Sequence, residues 1–497
     1  MNGSFDTDNV TTPLPLWEGQ GVGPEGSGLG RSFLIGAATS NSGKTTFTMG
    51  LLRALRDRGL KVQPYKCGPD YIDTMFHEMA SGRESVNLDT YMASEEHVKD
   101  VFERYGEDAD VRIVEGVMGL FDGYDKSKGS SAEIAMLLDI PVILVVNAKS
   151  VAYSVAPLIY GFKHFNPKLK IAGVVFNMVA SENHYTFLKQ ACEDAGVPCL
   201  GYMLRNRDLI IPSRHLGLTI ETREETEELI RLAAKEVEEH VVGPLPPPSP
   251  VGREPVCGRG ELTEMTNVKM SIGSPPTGSL PTGEGGGRGR FSLSIAKDSA
   301  FNFIYQANID ALRELGEVTF FSPMNDERMP ECDLLYLPGG YPELFASELA
   351  DNVTMRESIK AFAERGGRVF AECGGFMYLC NDIDGIPMCG VFPFSATMMD
   401  ARLHLGYRQL TKENSQFSIL NFQLPKGHEF HYSSVIEPDT LPEGIRKELC
   451  QLSAKNQPVD TALYHYKNVL AGYTHWYWAE TGFAELLDLF KRKDTEA

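Results

Sequence analysis

Several apolar runs in the first half of the chain show no polar alternation: SFLIGAA (32–38), VRIVEG (111–116), PVILVVNA (141–148) and IAGVVFN (171–177). A strand reads this way when both of its faces are covered. Between the runs, TTFTMGLLRALRDRG and SAEIAMLLD space their apolar residues for one face of a helix. Strand and helix alternating in this order predict a parallel sheet clad by helices. The second half repeats the scheme. FSLSIAK, VTFFSP, CDLLYLPGG and GRVFAECGG take the strand role, and AFNFIYQANIDALREL (300–315) and MRESIKAFAERG the helical one. The fold class expected is α/β, with two doubly wound domains.

Two segments interrupt the pattern. Residues 1–31 are Pro/Gly-rich, and residues 242–290 hold 11 Gly and 9 Pro in 49 residues. Segments of this kind bury too little apolar surface to offset the entropy of ordering them. The expectation is a disordered tail (1–31), a domain over 32–241, a disordered linker (242–290) and a second domain over 291–497.

Charge narrows the partners. Lys and Arg number 47 against 67 Asp and Glu, a net −20 over 497 residues. Nucleic-acid binders present basic surface, so nucleic acid is not an expected partner. No apolar run is long enough to span a bilayer, and the N-terminus lacks the layout of a secretory leader. Nine cysteines without a CxxC pair suit a reduced, cytoplasmic protein. A homodimer is compatible with the sequence without being dictated by it.

Candidate chemistry in the first half begins at ATSNSGKTT (38–46), where a strand turns into a helix. Backbone N–H groups at such a turn face phosphates, and Ser42, Gly43, Lys44, Thr45 and Thr46 are the candidate nucleotide contacts. Lys44 reaches the β/γ-phosphates and Thr45 ligates Mg²⁺ in this reading. Ala38 stands where the usual pattern has its first glycine. YKCGPDYID (65–73) then places Asp70 and Asp73 three apart, on one face if the segment is helical. VRIVEGVMGLFDG (111–123) delivers Glu115 at the end of a strand, where open parallel sheets bind ligands, and Asp122 in a Gly-flanked loop. Thr45, Asp70 and Glu115 are the candidate metal ligands. Asp122 is the candidate for orienting substrate or assisting the phosphate step, against the plainer role of a turn residue.

The second half offers a thiol. In GRVFAECGGFMYL (367–379) a strand runs into Cys373, two glycines and a helix pattern. This is the layout of a nucleophile elbow, with the thiol at a helix N-terminus that lowers its pKa. Backbone N–H groups near Gly339 and Gly340, in LPGGYPE, are candidates for an oxyanion hole. His475, in AGYTHWYW, is the candidate base, and His428 and His431 compete for that role. A phosphate-activating domain joined to a thiol hydrolase suggests one coupled reaction. Ammonia from glutamine displaces phosphate from an activated carboxylate.

Here the chain resembles the cobyrinate a,c-diamide synthase family of glutamine-dependent cobalamin-pathway amidotransferases. The resemblance rests on TSNSGKTT, KCGPDYID, GRESVNLD, VEGVMGLFDG, FNMV, PSRHLGL, AKDSAFNF, LPGGYPE, AECGGFMYL, GHEFHYS and YTHWYW, and covers about 32–241 and 291–490. It implies ATP- and Mg²⁺-dependent amidation of the a- and c-acetate side chains of cobyrinic acid, with glutamine as donor. It also implies that Asp70, Asp73 and Glu115 fall in the ATP–metal and substrate region and Asp122 at the activation step. Cys373 becomes the nucleophile and His475 the residue that raises its nucleophilicity. Related enzymes act on hydrogenobyrinate or nickel sirohydrochlorin, and the motifs do not separate these. The KxGPDYID stretch favours a,c-amidation over the cobyric acid synthase pattern. The family's T-H-x-H run is replaced here by His475 followed by Trp476, Tyr477 and Trp478. No third acidic residue is evident beside His475 except Glu480. Lys66, Arg214, His215 and Lys297 are candidates for a basic pocket, with Lys66 also a cofactor contact. The rival reading is a regulatory P-loop ATPase with an inactive amidotransferase half.

Overall fold

The computed structural model describes residues 31–209, 223–242, 291–399, 402–411 and 424–481. Residues 1–30 of the tail, 243–290 of the linker, Arg214 and His215 lie outside the described residues.

The first half builds one parallel sheet. Its strands are β1 (Arg31–Ala37), β2 (Val62–Cys67), β3 (Val86–Leu88), β4 (Val111–Glu115), β5 (Val142–Asn147), β6 (Ile171–Val179) and β7 (Cys199–Leu204), in the order β3-β2-β4-β1-β5-β6-β7. Helices α1 (Lys44–Asp57), α2 (Ile72–Ser81), α3 (Glu95–Gly106), α4 (Ser131–Leu137), α5 (Ala156–Phe165), α6 (Glu182–Ala195) and α7 (Arg223–Val237) connect and cover the strands. Every residue of β2 and β4 is buried, as expected for strands packed on both faces. Among the described residues, β1 starts at Arg31 and α7 continues into a π-helical turn, Glu238–Val242, whose two valines join the core.

The second half is also doubly wound. Its strands are β8 (Ser292–Ala296), β9 (Phe301–Phe303), β10 (Glu317–Phe321), β11 (Leu334–Leu337), β12 (Gly339–Gly340), β13 (Arg368–Glu372), β14 (Asp382–Ile383), β15 (Ile386–Pro387), β16 (Ser395–Thr397), β17 (His404–Leu410), β18 (Lys426–His431), β19 (Ser434–Ile436), β20 (Ile445–Glu448), β21 (Gln451–Ser453), β22 (Leu463–Tyr466), β23 (Val469–Gly472) and β24 (His475–Tyr477). The main sheet runs β10-β8-β11-β13-β23-β22-β20, with its last two strands antiparallel. Helices α8 (Gln306–Leu315), α9 (Ala346–Asp351), α10 (Val353–Glu364) and α11 (Gly374–Leu379) accompany it. An antiparallel sheet, β21-β17-β18-β24, sets His428 directly opposite His475.

One expectation fails here. AFNFIYQANIDALREL is not a single helix, because Phe301–Phe303 forms β9 and pairs with Gly339–Gly340. Phe301 and Phe303 are buried while Asn302 is half-buried, a period of two that the following helical pattern obscures.

Both halves belong to one compact unit. Phe303, Tyr305, Ala307 and Tyr477 of the second half share a core cluster with Tyr71, Tyr91 and Met92 of the first. Hydrogen bonds cross the same junction, from Tyr407 to Asp89 at 2.7 Å and between His97 and Tyr477 at 3.0 Å. No helix among the described residues is long and apolar enough to cross a membrane.

Candidate active site

At the end of β1 the chain turns through Asn41 (φ +59°) and Gly43 (φ +89°) into α1. Ser42 is buried and donates to the Thr39 carbonyl at 2.8 Å, and the Asn177 amide donates to the Ser42 carbonyl at 3.0 Å. These bonds fix a loop whose amides open at the start of a 14-residue helix. Thr46 is buried in the first turn. Lys44 Nζ donates to the Met118 carbonyl at 2.6 Å, and burial lowers its pKa.

Thr45 Oγ1 donates to Glu115 Oε1 at 2.8 Å, so the two candidate metal ligands lie side by side. Glu115 is fully buried and is shared by three partners. Lys66 Nζ reaches the same Oε1 at 3.1 Å and Asp73 at 2.6 Å, and His77 Nε2 meets Oε2 at 2.7 Å. Burial opposes the Lys66 charge, but Asp73 and Glu115 outweigh it and raise the pKa. Burial likewise opposes the Glu115 carboxylate, but the Lys66 ammonium and the His77 imidazole together outweigh it, so that pKa is lowered. Register explains the meeting, since Lys66 pairs with Glu115 across β2 and β4. A buried cluster with two carboxylates, one ammonium and a hydroxyl offers only hard oxygen donors at Thr45, Glu115 and Asp73. That donor set fits Mg²⁺. His77 was not singled out in the sequence, although it lies four residues after Asp73, on the same face of α2.

Asp70 starts α2, where its Oδ1 accepts from the amides of Ile72 and Asp73 at 2.9 and 3.0 Å. Asp122 is exposed and accepts from the Gly119 amide at 3.1 Å, close enough to favour the charged form of Lys44. Two basic-pocket candidates fall elsewhere. Lys66 is buried within the carboxylate cluster, and Lys297 is exposed over the Phe320 ring.

Cys373 follows β13 with φ +47° and ψ −106°, the strained turn of an elbow, and its amide donates to the Gly472 carbonyl at 2.8 Å. The expected lowering of its pKa does not hold. Burial pushes the thiol up, and Glu343 adds to the rise. The helix it caps has six residues, and its dipole is too small to offset full desolvation.

The LPGG loop lies between the elbow and the histidine. A Cβ on Gly374 would stand 3.0 Å from the Gly340 amide nitrogen, and one on Gly339 would stand 2.1 Å from Cε1 of His475. Gly339→Ala therefore displaces the imidazole. The expected result is a loss of about tenfold or more in glutamine-dependent turnover. Assays with ammonium as donor check it, because ammonium use should survive.

His475 is buried, its Nδ1 makes no hydrogen bond among the described residues, and burial lowers its pKa to about 3. It is therefore a neutral acceptor at neutral pH. Glu480, the sequence candidate for a third acidic member, instead accepts from the Ser94 amide at 2.9 Å. His428 and His431, the competing base candidates, pack on different partners. His428 stacks on His475 with centroids 5.1 Å apart, whereas His431 stacks on Tyr473 at 3.8 Å.

Burial also lowers His431 to about 3. Its unfolded counterpart titrates near 6.5, so the stability it allows is complete above that pH and is lost as pH falls toward 3. At about pH 5 the loss is about 2 kcal/mol. Glu372, which burial raises to about 8, changes in the opposite sense. The effect is therefore read as a difference. The stability gap between wild type and His431→Gln should narrow by about 2 kcal/mol from about pH 7.5 to about pH 5 in urea titrations. A constant gap would refute this assignment.

A cavity of about 710 Å³ joins the two halves. Asp70, Tyr71 and Met118 line it from the first half, and His428, His475 and Arg408 from the second. Arg408 and Lys455 are its cationic wall residues, and neither was a sequence candidate.

A loop-to-helix phosphate site in one half and a thiol elbow in the other define the class: a glutamine amidotransferase carrying its own nucleotide-binding domain. Family comparison agrees. Residues 33–218 match the CobQ/CobB/MinD/ParA nucleotide binding domain, and residues 292–483 the CobB/CobQ-like glutamine amidotransferase domain. The chain is 39% identical over 411 residues to a cobyrinate a,c-diamide synthase of Listeria monocytogenes, covering 80% of this chain and 86% of the relative. Relatives of the same name in Picrophilus torridus and Priestia megaterium are 37% and 36% identical. They cover 90% and 91% of this chain and 95% of their own lengths. The chain belongs to the cobyrinate a,c-diamide synthase family.

Proposed function

We propose that the chain amidates the a- and c-acetate carboxylates of cobyrinic acid, using ATP and the amide nitrogen of glutamine. The carrying observation is the cavity that has Asp70 of the nucleotide half and His475 of the thiol half in the same wall. A carboxylate seated there lies between the two chemistries. It takes the γ-phosphoryl group as an acyl phosphate, and ammonia then displaces phosphate to give the amide. Lys44 and the loop amides bind the phosphates. Thr45 and Glu115 would hold Mg²⁺, which neutralises charge on the transferring group. Asp122, whose charge favours the ammonium form of Lys44, is assigned to assisting the phosphate step.

In the second half, His475 accepts the Cys373 proton as the thiol attacks the glutamine amide, so no free thiolate is needed beforehand. Amides near Gly339 and Gly340 receive the developing oxyanion. Lys455, and Arg408, which is paired with Glu429 at 2.6 Å, are the cavity's cations for an anionic macrocycle on an acidic protein. The test is an amidation assay read by mass spectrometry, with cobyrinic acid, hydrogenobyrinic acid and nickel sirohydrochlorin in parallel. Two replacements of OH by NH₂ are expected on cobyrinic acid. Conversion of one of the other macrocycles instead would reassign the substrate, and no conversion despite ATP binding would favour the regulatory reading.

A further inference from the structure

A histidine that serves as a base is usually oriented by a hydrogen bond at its second ring nitrogen. His475 Nδ1 makes none among the described residues. Packing must therefore hold the ring. Gly339 lies against one side of it, and His428 stacks 5.1 Å away at 19°. Phe303 stands at 6.4 Å. These three belong to the same half of the chain as His475. The remaining ring contact does not: Tyr71 lies 5.3 Å from His475 and comes from the nucleotide-binding half.

Tyr71 is itself firmly held. It is 7% exposed, stacked on Phe303 at 5.1 Å and 6°, and 4.8 Å from Tyr305. Tyr305 in turn hydrogen-bonds His428 Nδ1 at 2.9 Å. The Tyr71 backbone immediately precedes α2, between Asp70, whose Oδ1 accepts from the Ile72 and Asp73 amides, and Asp73, which is paired with Lys66. The same ion pair reaches Glu115 and, through it, Thr45. The residue packed on the thiol-half histidine is thus anchored to the phosphate end of the other half.

We infer that Tyr71 is a positioning residue for His475, supplied across the junction between the two halves, so that the glutaminase site is complete only when the nucleotide half is in place. The inference rests on the reading of His475 as the base for glutamine hydrolysis. It gives the benzene ring, not the hydroxyl, the essential part.

Glutamine hydrolysis by the full-length protein tests this without any need for the macrocycle. Tyr71→Ala should lower kcat for glutamine by about tenfold or more while KM for glutamine stays within about threefold. Tyr71→Phe, which keeps the ring, should stay within about threefold of wild type in both. Affinity for a non-hydrolysable ATP analogue, unchanged in both variants, shows that the first half remains folded. Wild-type hydrolysis by Tyr71→Ala would overturn the inference, as would a Tyr71→Phe protein as impaired as Tyr71→Ala. A His475→Ala arm separates the two levels. If it hydrolyses glutamine normally, the underlying role of His475 fails. If it is inactive while Tyr71→Ala is not, only the positioning role fails.

Discussion

Cys373→Ser should abolish glutamine-dependent amidation, by about 10³-fold or more, and leave amidation with ammonium salts largely intact. The expectation follows from where the thiol sits. Cys373 is buried at an elbow with φ +47°, in the second half, whereas the phosphate-end cluster is built from α1, β2, α2 and β4 of the first. Serine preserves the volume, so the core around residue 373 survives. Its hydroxyl is a much weaker nucleophile than the thiol in the same unpaired, desolvated place. Ammonium bypasses that step and enters at the activated carboxylate. Initial rates with each donor check the prediction. Retained glutamine use in Cys373→Ser would show that the nucleophile lies elsewhere.

Glu115→Gln should do something different: it should remove amidation with either donor, by about 10²-fold or more. The carboxylate is fully buried and links Thr45, Lys66 and His77. A neutral amide keeps the size but removes the charge that the Lys66 ammonium and a divalent cation both require. Asp73 is then the remaining carboxylate on Lys66, at 2.6 Å. Stability should fall as well, by about 3 kcal/mol, because a buried ion cluster is broken from one side. Donor-specific rates and urea titrations check both parts. An active Glu115→Gln protein with ammonium would remove Glu115 from the activation step. The two variants together partition the reaction, since Cys373→Ser loses one donor and Glu115→Gln loses both.

Much of this arrangement is legible in the chain because the signals are local. A strand, a glycine turn and a helix start are contiguous at residues 33–57, and again at 368–379. Unalternating apolar runs likewise announce strands covered on both sides. The failures are also physical. The FNF stretch is too short to show its period of two beside a strong helical pattern, and its partner, Gly339–Gly340, is remote in sequence. A helix start is a local feature that predicts a lowered thiol pKa, whereas burial by the whole half decides its direction. Glu480 is close to His475 in sequence, but the chain carries its carboxylate to Ser94 of the other half. Lys66 and His77 converge on Glu115 through strand register and helix packing, which no single motif encodes. Arg408 and Lys455 reach the cavity from β17 and the β21–β22 connection, segments without a recognisable motif.

The measurement closest to the central claim uses glutamine labelled with ¹⁵N at its amide. Purified full-length protein is supplied with labelled glutamine, ATP, Mg²⁺ and cobyrinic acid, and the product is weighed by mass spectrometry. The account predicts a diamide with both new nitrogens labelled, and one ATP consumed for each amide formed. A product without label, or label incorporated with no ATP consumed, would contradict it.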